Sequence, residues 1–154
     1  MVSYLTARPS GDILQQSRQK LTQAWWQGRL SDFEPMVSAL VLSEAGRGDP
    51  VAAAARVAVV AGLNMLAIDD RARGLARGLI GPGAIPPRAA DDATHIALCA
   101  VHAVPYLLTW NFRHIANAQT RLKLGFLCAQ AGYQLPVICT RKNYEKAHGR
   151  SRSR

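Results

Sequence analysis

Carboxylates are scarce in this chain, ten in 154 residues, so those without an ordinary structural task stand out. Asp91 and Asp92 are adjacent in "IPPRAADDATHIALCAV". Either could serve a helix start, but the residues ahead of them are already compatible with helix, so neither is the obvious cap. Two neighbouring carboxylates repel unless a cation, or Arg88, relieves them. Glu44 follows the apolar run "SALVL" and precedes "AGRG", which leaves it on a solvent face or held by a partner. An ion pair with Arg47 or Arg56 is its bland reading. Asn111 ends the run "PYLLTW", with Thr109 just before it and Arg113 and His114 just after, where the last two could meet a phosphate. Against that, an arginine after a strand is often only solvated. His95 and His102, seven apart on one helical stripe, could hold a transition metal, but satisfied structural histidines are the commoner case. Trp25, Trp26 and Trp110 could stack on bases, although core packing explains at least two of them better.

These residues need elements to hold them. Ser10 to Gly28 has helical periodicity, with Leu14, Leu21 and Trp25 near one face. "FEPMVS" reads as a short strand limited by Pro35. Ser38 is placed to cap a helix through "ALVLSEA" that stops at Gly46. Asp49 and Pro50 open the next helix, "VAAAARVAVVAG", and "LNMLAI" follows as a strand. Asp69 or Asp70 caps "RARGLARGLI", and the loop "GPGAIPP" ends it. Arg88 to Val104 is expected as helix, Tyr106 to Trp110 as strand, Ala118 to Ala131 as helix and "PVICT" as the last strand. Asp12, Asp49, Asp69 and Asp70 therefore fall in caps or first turns, where an acid complements exposed amides and the helix dipole. Strands alternating with helices predict an α/β fold with a mainly parallel sheet. In such folds polar residues just past strand C-termini collect in a crevice, and Asn111 stands at such a position.

The bulk properties bound the function. The size suits a single domain over residues 1–140, followed by a basic tail over 141–154 that is expected to be disordered. The hydrophobic share of 49% and charged share of 19% exclude an intrinsically disordered chain. The net charge of +9 invites a polyanionic partner, yet "RKNYEKAHGRSRSR" supplies +5 of it, and the remaining +4 is ordinary. The start lacks a signal-peptide core, and the longest apolar run is too short for a membrane span and holds Asn64. Cys99, Cys128 and Cys139 have neither disulfide nor zinc spacing and read as buried thiols of a cytoplasmic protein.

The ordered set "VSYLTARPS", "VSALVLSEAGRGDPVAAAAR", "DDATHIALCAVHAVPYLLTWNFRHIANA" and "GYQLPVICT" resembles PIN-domain proteins, in the branch that holds VapC-type toxins of toxin–antitoxin pairs. The likeness extends to about Thr140, and 89–117 is its most specific stretch. It implies a PIN-like α/β domain with a central, mainly parallel sheet and a cluster of acids binding Mg²⁺ or Mn²⁺, hard cations that need oxygen ligands. It implies a ribonuclease in which the ions activate water against an RNA phosphodiester. Glu44, Asp92 and Asn111 take the catalytic positions. Glu44, Asp91 and Asp92 are the metal ligands, and Thr109, Arg113 and His114 face the substrate. Expected partners are RNA, an antitoxin protein and a second copy of the chain. One departure matters: relatives carry an acid at the end of a first strand, ahead of the segment matching "VSYL", and here Met1 falls after that point. The expectation is a domain short of that strand and acid, with weakened metal binding and impaired cleavage. The alternative is a non-catalytic PIN-like module that binds RNA or protein.

Overall fold

The computed structural model describes residues 2–82, 84–110, 115 and 118–139. The chain divides into two compact units, Met1–Leu66 and Ala67–Arg154. The expected basic tail, 141–154, lies outside the described residues. Among those residues no helix is long and apolar enough to cross a membrane.

The first unit runs α1 (Ser3–Thr6), α2 (Ile13–Arg29), a 3₁₀ turn (Leu30–Asp32), β1 (Met36–Ser38), α3 (Ala39–Ala45), α4 (Pro50–Val60) and β2 (Asn64–Leu66). Local chemistry sets the helix starts. The Asp12 carboxylate accepts from the Gln15 amide at 2.7 Å, the Ser38 hydroxyl from Val41 at 3.4 Å and the Asp49 carboxylate from Ala52 at 2.9 Å. Each satisfies an amide that has no partner in the first helical turn. Trp25, Val37, Ala45, Ala53 and Val60 are buried, and the Trp25 and Phe33 rings lie 5.4 Å apart. Two glutamines of α2 bind the segment before it. The Gln19 amide nitrogen donates to the Arg8 carbonyl and its oxygen accepts from the Ser10 N–H, both at 3.0 Å. Gln23 donates to the carbonyls of Tyr4 and Leu5. A buried amide satisfied on both sides costs little, which is how Gln19 remains in a core position at 6% exposure.

The second unit runs α5 (Asp70–Gly78), a 3₁₀ turn (Pro87–Ala89), α6 (Ala90–Val101), β3 (Tyr106–Leu108), α7 (Ala118–Gln130) and β4 (Val137–Cys139). Its core is a cluster built on Leu75, Leu79, Ile85, Ile96, Ile115, Leu124 and Ile138. Helix α6 is the most enclosed element, with every residue from Ile96 to Ala100 buried. Asp69 caps α5 through the Ala72 amide at 2.9 Å. Helices α6 and α7 end alike: Val104 N–H bonds the Cys99 carbonyl at 2.8 Å, and Tyr133 N–H the Cys128 carbonyl at 2.9 Å. That six-to-one closure needs a left-handed residue just before the donor. Gly132 fills the position after α7 with φ +82°, whereas Ala103 fills it after α6 with φ +53°.

Strand pairing is parallel, as the alternation of strands and helices suggested; where a central sheet was expected, the described residues show two two-stranded sheets. Each unit holds its own two-stranded sheet, β1 with β2 and β3 with β4. Each of the four strands among the described residues is three residues long. Prolines account for much of the shortness: Pro35, Pro105 and Pro136 stand immediately before β1, β3 and β4. A residue without an N–H cannot extend a ladder backwards. In the second sheet Val137 N–H bonds the Pro105 carbonyl and Thr109 N–H bonds the Cys139 carbonyl. Residues 137 and 139 thus face β3, and Ile138 directs its carbonyl to the outer edge, where the Arg121 guanidinium donates to it.

Candidate functional site

Asp91 and Asp92 occupy the second and third positions of α6, and neither is its cap. The N-cap is Ala89, which has no side-chain oxygen to offer, and the chain enters through the Pro87–Ala89 turn. This sets α6 apart from α2, α4 and α5, each of which begins on an Asp whose carboxylate is engaged by a first-turn amide. Successive helical residues point about 100° apart, so the two acids do not face each other. Asp91 is exposed, while Asp92 is half-buried, one turn ahead of the fully buried Ile96.

Thr109 lies one residue beyond β3, half-buried, with its backbone N–H bonded to the Cys139 carbonyl at 3.2 Å. The ladder therefore carries Thr109 to the C-terminal end of the β3–β4 pair. Asn111, Arg113 and His114, the other residues assigned to this end, lie outside the described residues.

Glu44 belongs to the first unit, on the last turn of α3, and is half-buried. The helix ends against Gly46, whose N–H bonds the Leu42 carbonyl at 2.9 Å, while Arg47 N–H bonds the Glu44 carbonyl at 3.3 Å. Arg56, named above as an ion-pair candidate for Glu44, reaches back from α4. Its Nε donates to the Ala45 carbonyl at 2.8 Å and its Nη2 to the Arg47 carbonyl. Nothing local in the sequence announces this arrangement, because donor and acceptors are nine and eleven residues apart.

Oxygen donors are the right chemistry for a hard divalent cation, and Glu44, Asp91 and Asp92 supply them. Among the described residues no group of three or more His, Cys, Asp or Glu side chains is gathered to hold an ion. His102 has a structural role: its Nε2 donates to the Ala67 carbonyl at 2.8 Å. Trp25 is core, and Trp26 and Trp110 are half-buried.

Cysteine chemistry has no footing here. All three thiols are free and buried. Burial pushes Cys99 up to about 11, and raises Cys128 and Cys139 as well, although the Arg121 charge pulls Cys139 partly back. A thiol held protonated is a poor nucleophile. Asp69 is perturbed the other way: the Ala72 amide, then Arg71, holds its carboxyl below the usual range. That is the signature of a cap. A surface depression of about 310 Å³, lined by Gly74, Gly78, Leu127 and Tyr133 among others, contains none of the residues singled out from the sequence. Comparison with protein-family models, with curated proteins and with solved structures yields no match.

Proposed function

We propose that this chain is a PIN-like, Mg²⁺- or Mn²⁺-dependent ribonuclease that a partner antitoxin protein restrains. The observation that supports this most is the start of α6. Two carboxylates sit there without serving as the cap, whereas α2, α4 and α5 each begin on an Asp whose carboxylate is engaged by a first-turn amide. Asp92 is the ligand we assign first, because a half-buried carboxylate is partly ordered before an ion arrives; Asp91 and Glu44 are the further acids that the resemblance assigns to a metal, although the described residues show no group of three gathered for one. A bound divalent cation would supply an activated water and offset charge developing on the phosphate. Asn111 shares the catalytic role with Glu44 and Asp92. Thr109, fixed at the end of β3, has a hydroxyl suited to a phosphate oxygen, and Arg113 and His114 would add cationic contacts to the RNA backbone.

The test is cleavage of a labelled RNA by the full chain with Mn²⁺, with EDTA, and with Asp92→Asn, which removes charge while keeping shape. EDTA-sensitive cleavage that is lost in the variant is the expected result. Equal cleavage by both proteins would remove Asp92 from the site. RNA binding without cleavage would favour the non-catalytic module, and absence of both would end the nucleic-acid reading.

A further inference from the structure

Helix α7 is apolar on two sides. Leu124 and Cys128 are fully buried in the core of its unit. The outer side carries Leu122, 77% exposed, and Phe126, 58% exposed, one helical turn apart, with the exposed Ala129 next along the same stripe. A surface helix ordinarily sets polar residues opposite its core. Here the opposite face is apolar too, and it does not stand alone. Gly125 faces Leu135: a Cβ at 125 would lie 4.0 Å from the leucine Cδ2. Arg121, one turn before Gly125, crosses to the Ile138 carbonyl and walls a depression of about 170 Å³, lined otherwise by Leu135, Pro136, Val137 and Ile138. Val137 is itself exposed. The ridge of Leu122 and Phe126 thus borders an aliphatic hollow, and a continuous apolar surface of this kind marks an interaction site.

Charge decides what covers it. Between Asp92 and Glu145 the sequence has no acid, whereas α7 carries Arg121 and Lys123. Lys123 is exposed and flanks the stripe on the side away from β4. A second copy packed α7 to α7 would bring two Lys123 ammonium groups to the joint with no acid from either helix, and like charges set together oppose association. Arg121 already holds the outer carbonyl of β4, so the contact has to be made by side chains. We propose that the outer face of α7, Leu122 and Phe126 with the hollow beside Val137, docks an amphipathic helix of a partner protein that carries carboxylates beside its apolar stripe. One carboxylate meets Lys123, and an apolar side chain fills the hollow. The docking face is independent of the ribonuclease reading.

The experiment measures binding of two fluorescein-labelled synthetic peptides to the full chain by fluorescence anisotropy. Both are amphipathic as helices and about five turns long, with leucines on one face. Glutamates flank that face in one peptide and lysines in the other. The glutamate peptide should bind at least about tenfold more tightly than the lysine peptide, and less tightly as salt is raised. Leu122→Ser and Phe126→Ser should each weaken it by about tenfold, the usual loss at a central apolar contact. Their urea midpoints should stay level, because both side chains are exposed. Lys123→Glu should weaken the glutamate peptide and strengthen the lysine peptide. Should Phe126→Ser fail to fold, Leu122→Ser decides. No binding of the glutamate peptide, equal binding of both peptides, or binding that neither serine variant weakens overturns the proposal. So does a Phe126-dependent dimer in sedimentation, which would make a second copy the occupant. Phe126-dependent binding to phosphatidylserine vesicles without binding to the glutamate peptide would overturn it in favour of a lipid surface.

Discussion

Raising the pH from 8 to 10 should destabilise this protein through one thiol. Cys99 is 6% exposed in the middle of α6, and burial raises its ionisation from 9.0 to about 11. The unfolded chain loses this proton near its ordinary value, while the folded chain keeps it until about 11. Between those values the unfolded state binds fewer protons, so stability falls as pH rises. The loss is negligible at pH 8. With about 1.4 kcal/mol per pH unit, it reaches about 1.4 kcal/mol at pH 10 and about 2.7 kcal/mol once the folded thiol has also ionised. Burial raises Cys128 and Cys139 as well, so the informative quantity is the difference from Cys99→Ala. That variant should be about 1 kcal/mol less stable at pH 8, for the loss of a buried sulfur. At pH 10 it should have drawn level or moved ahead, because it carries no thiol to ionise. Urea unfolding followed by far-ultraviolet circular dichroism under reducing conditions, for both proteins at both pH values, gives the numbers. A gap that stays the same within about 0.5 kcal/mol would show that Cys99 is not held protonated by its surroundings.

Ala103→Gly should stabilise the protein by about 1 kcal/mol, since the left-handed residue that closes α6 would then match the glycine that closes α7; an unchanged urea midpoint would contradict the φ of +53°. Gly74→Ala and Gly78→Ala should each raise the unfolding free energy by up to about 1 kcal/mol in urea unfolding, because a methyl group at either meets nothing within 4 Å. A loss of stability there would mean that the open depression beside α5 is filled in solution. Ser38→Ala should cost about 1–2 kcal/mol by removing the buried cap of α3, measured by urea unfolding, and a cost below about 0.5 kcal/mol would show the cap to be idle.

The legible parts of this fold were those written within four residues of themselves. Ser38, Asp49 and Asp69 announce α3, α4 and α5 because a short oxygen-bearing side chain meets an amide two or three residues on, and Gly46 announces where α3 stops. Pro35 signalled a truncated β1, and the same reasoning applied to Pro105 and Pro136 would have shortened β3 and β4. What stayed hidden depends on distant partners. Gln19 and Gln23 look like surface residues of an amphipathic helix until Arg8, Ser10, Tyr4 and Leu5 are laid against them. The division of four parallel strands into two sheets is likewise a matter of pairing, which strand-forming residues do not encode singly. At the candidate site, that Asp91 and Asp92 would not cap α6 could be read from the residues before them. The grip of Arg56 on two carbonyls could not, because arginine next to a glutamate suggests charge pairing first.

The bond from Arg121 to the outer carbonyl of Ile138 bears on how the protein behaves when crowded. A two-stranded parallel sheet offers a growing aggregate an open row of backbone groups, and β4 is at that border with Val137 53% exposed beside it. An intruding strand must hydrogen-bond the carbonyl that Arg121 already holds, and must push aside a cation rooted in α7. Charged side chains at sheet borders are a recurrent defence against such recruitment. Here the defence is bonded in place, so the arginine that helps fasten β4 to α7 also guards the chain against polymerising through that strand.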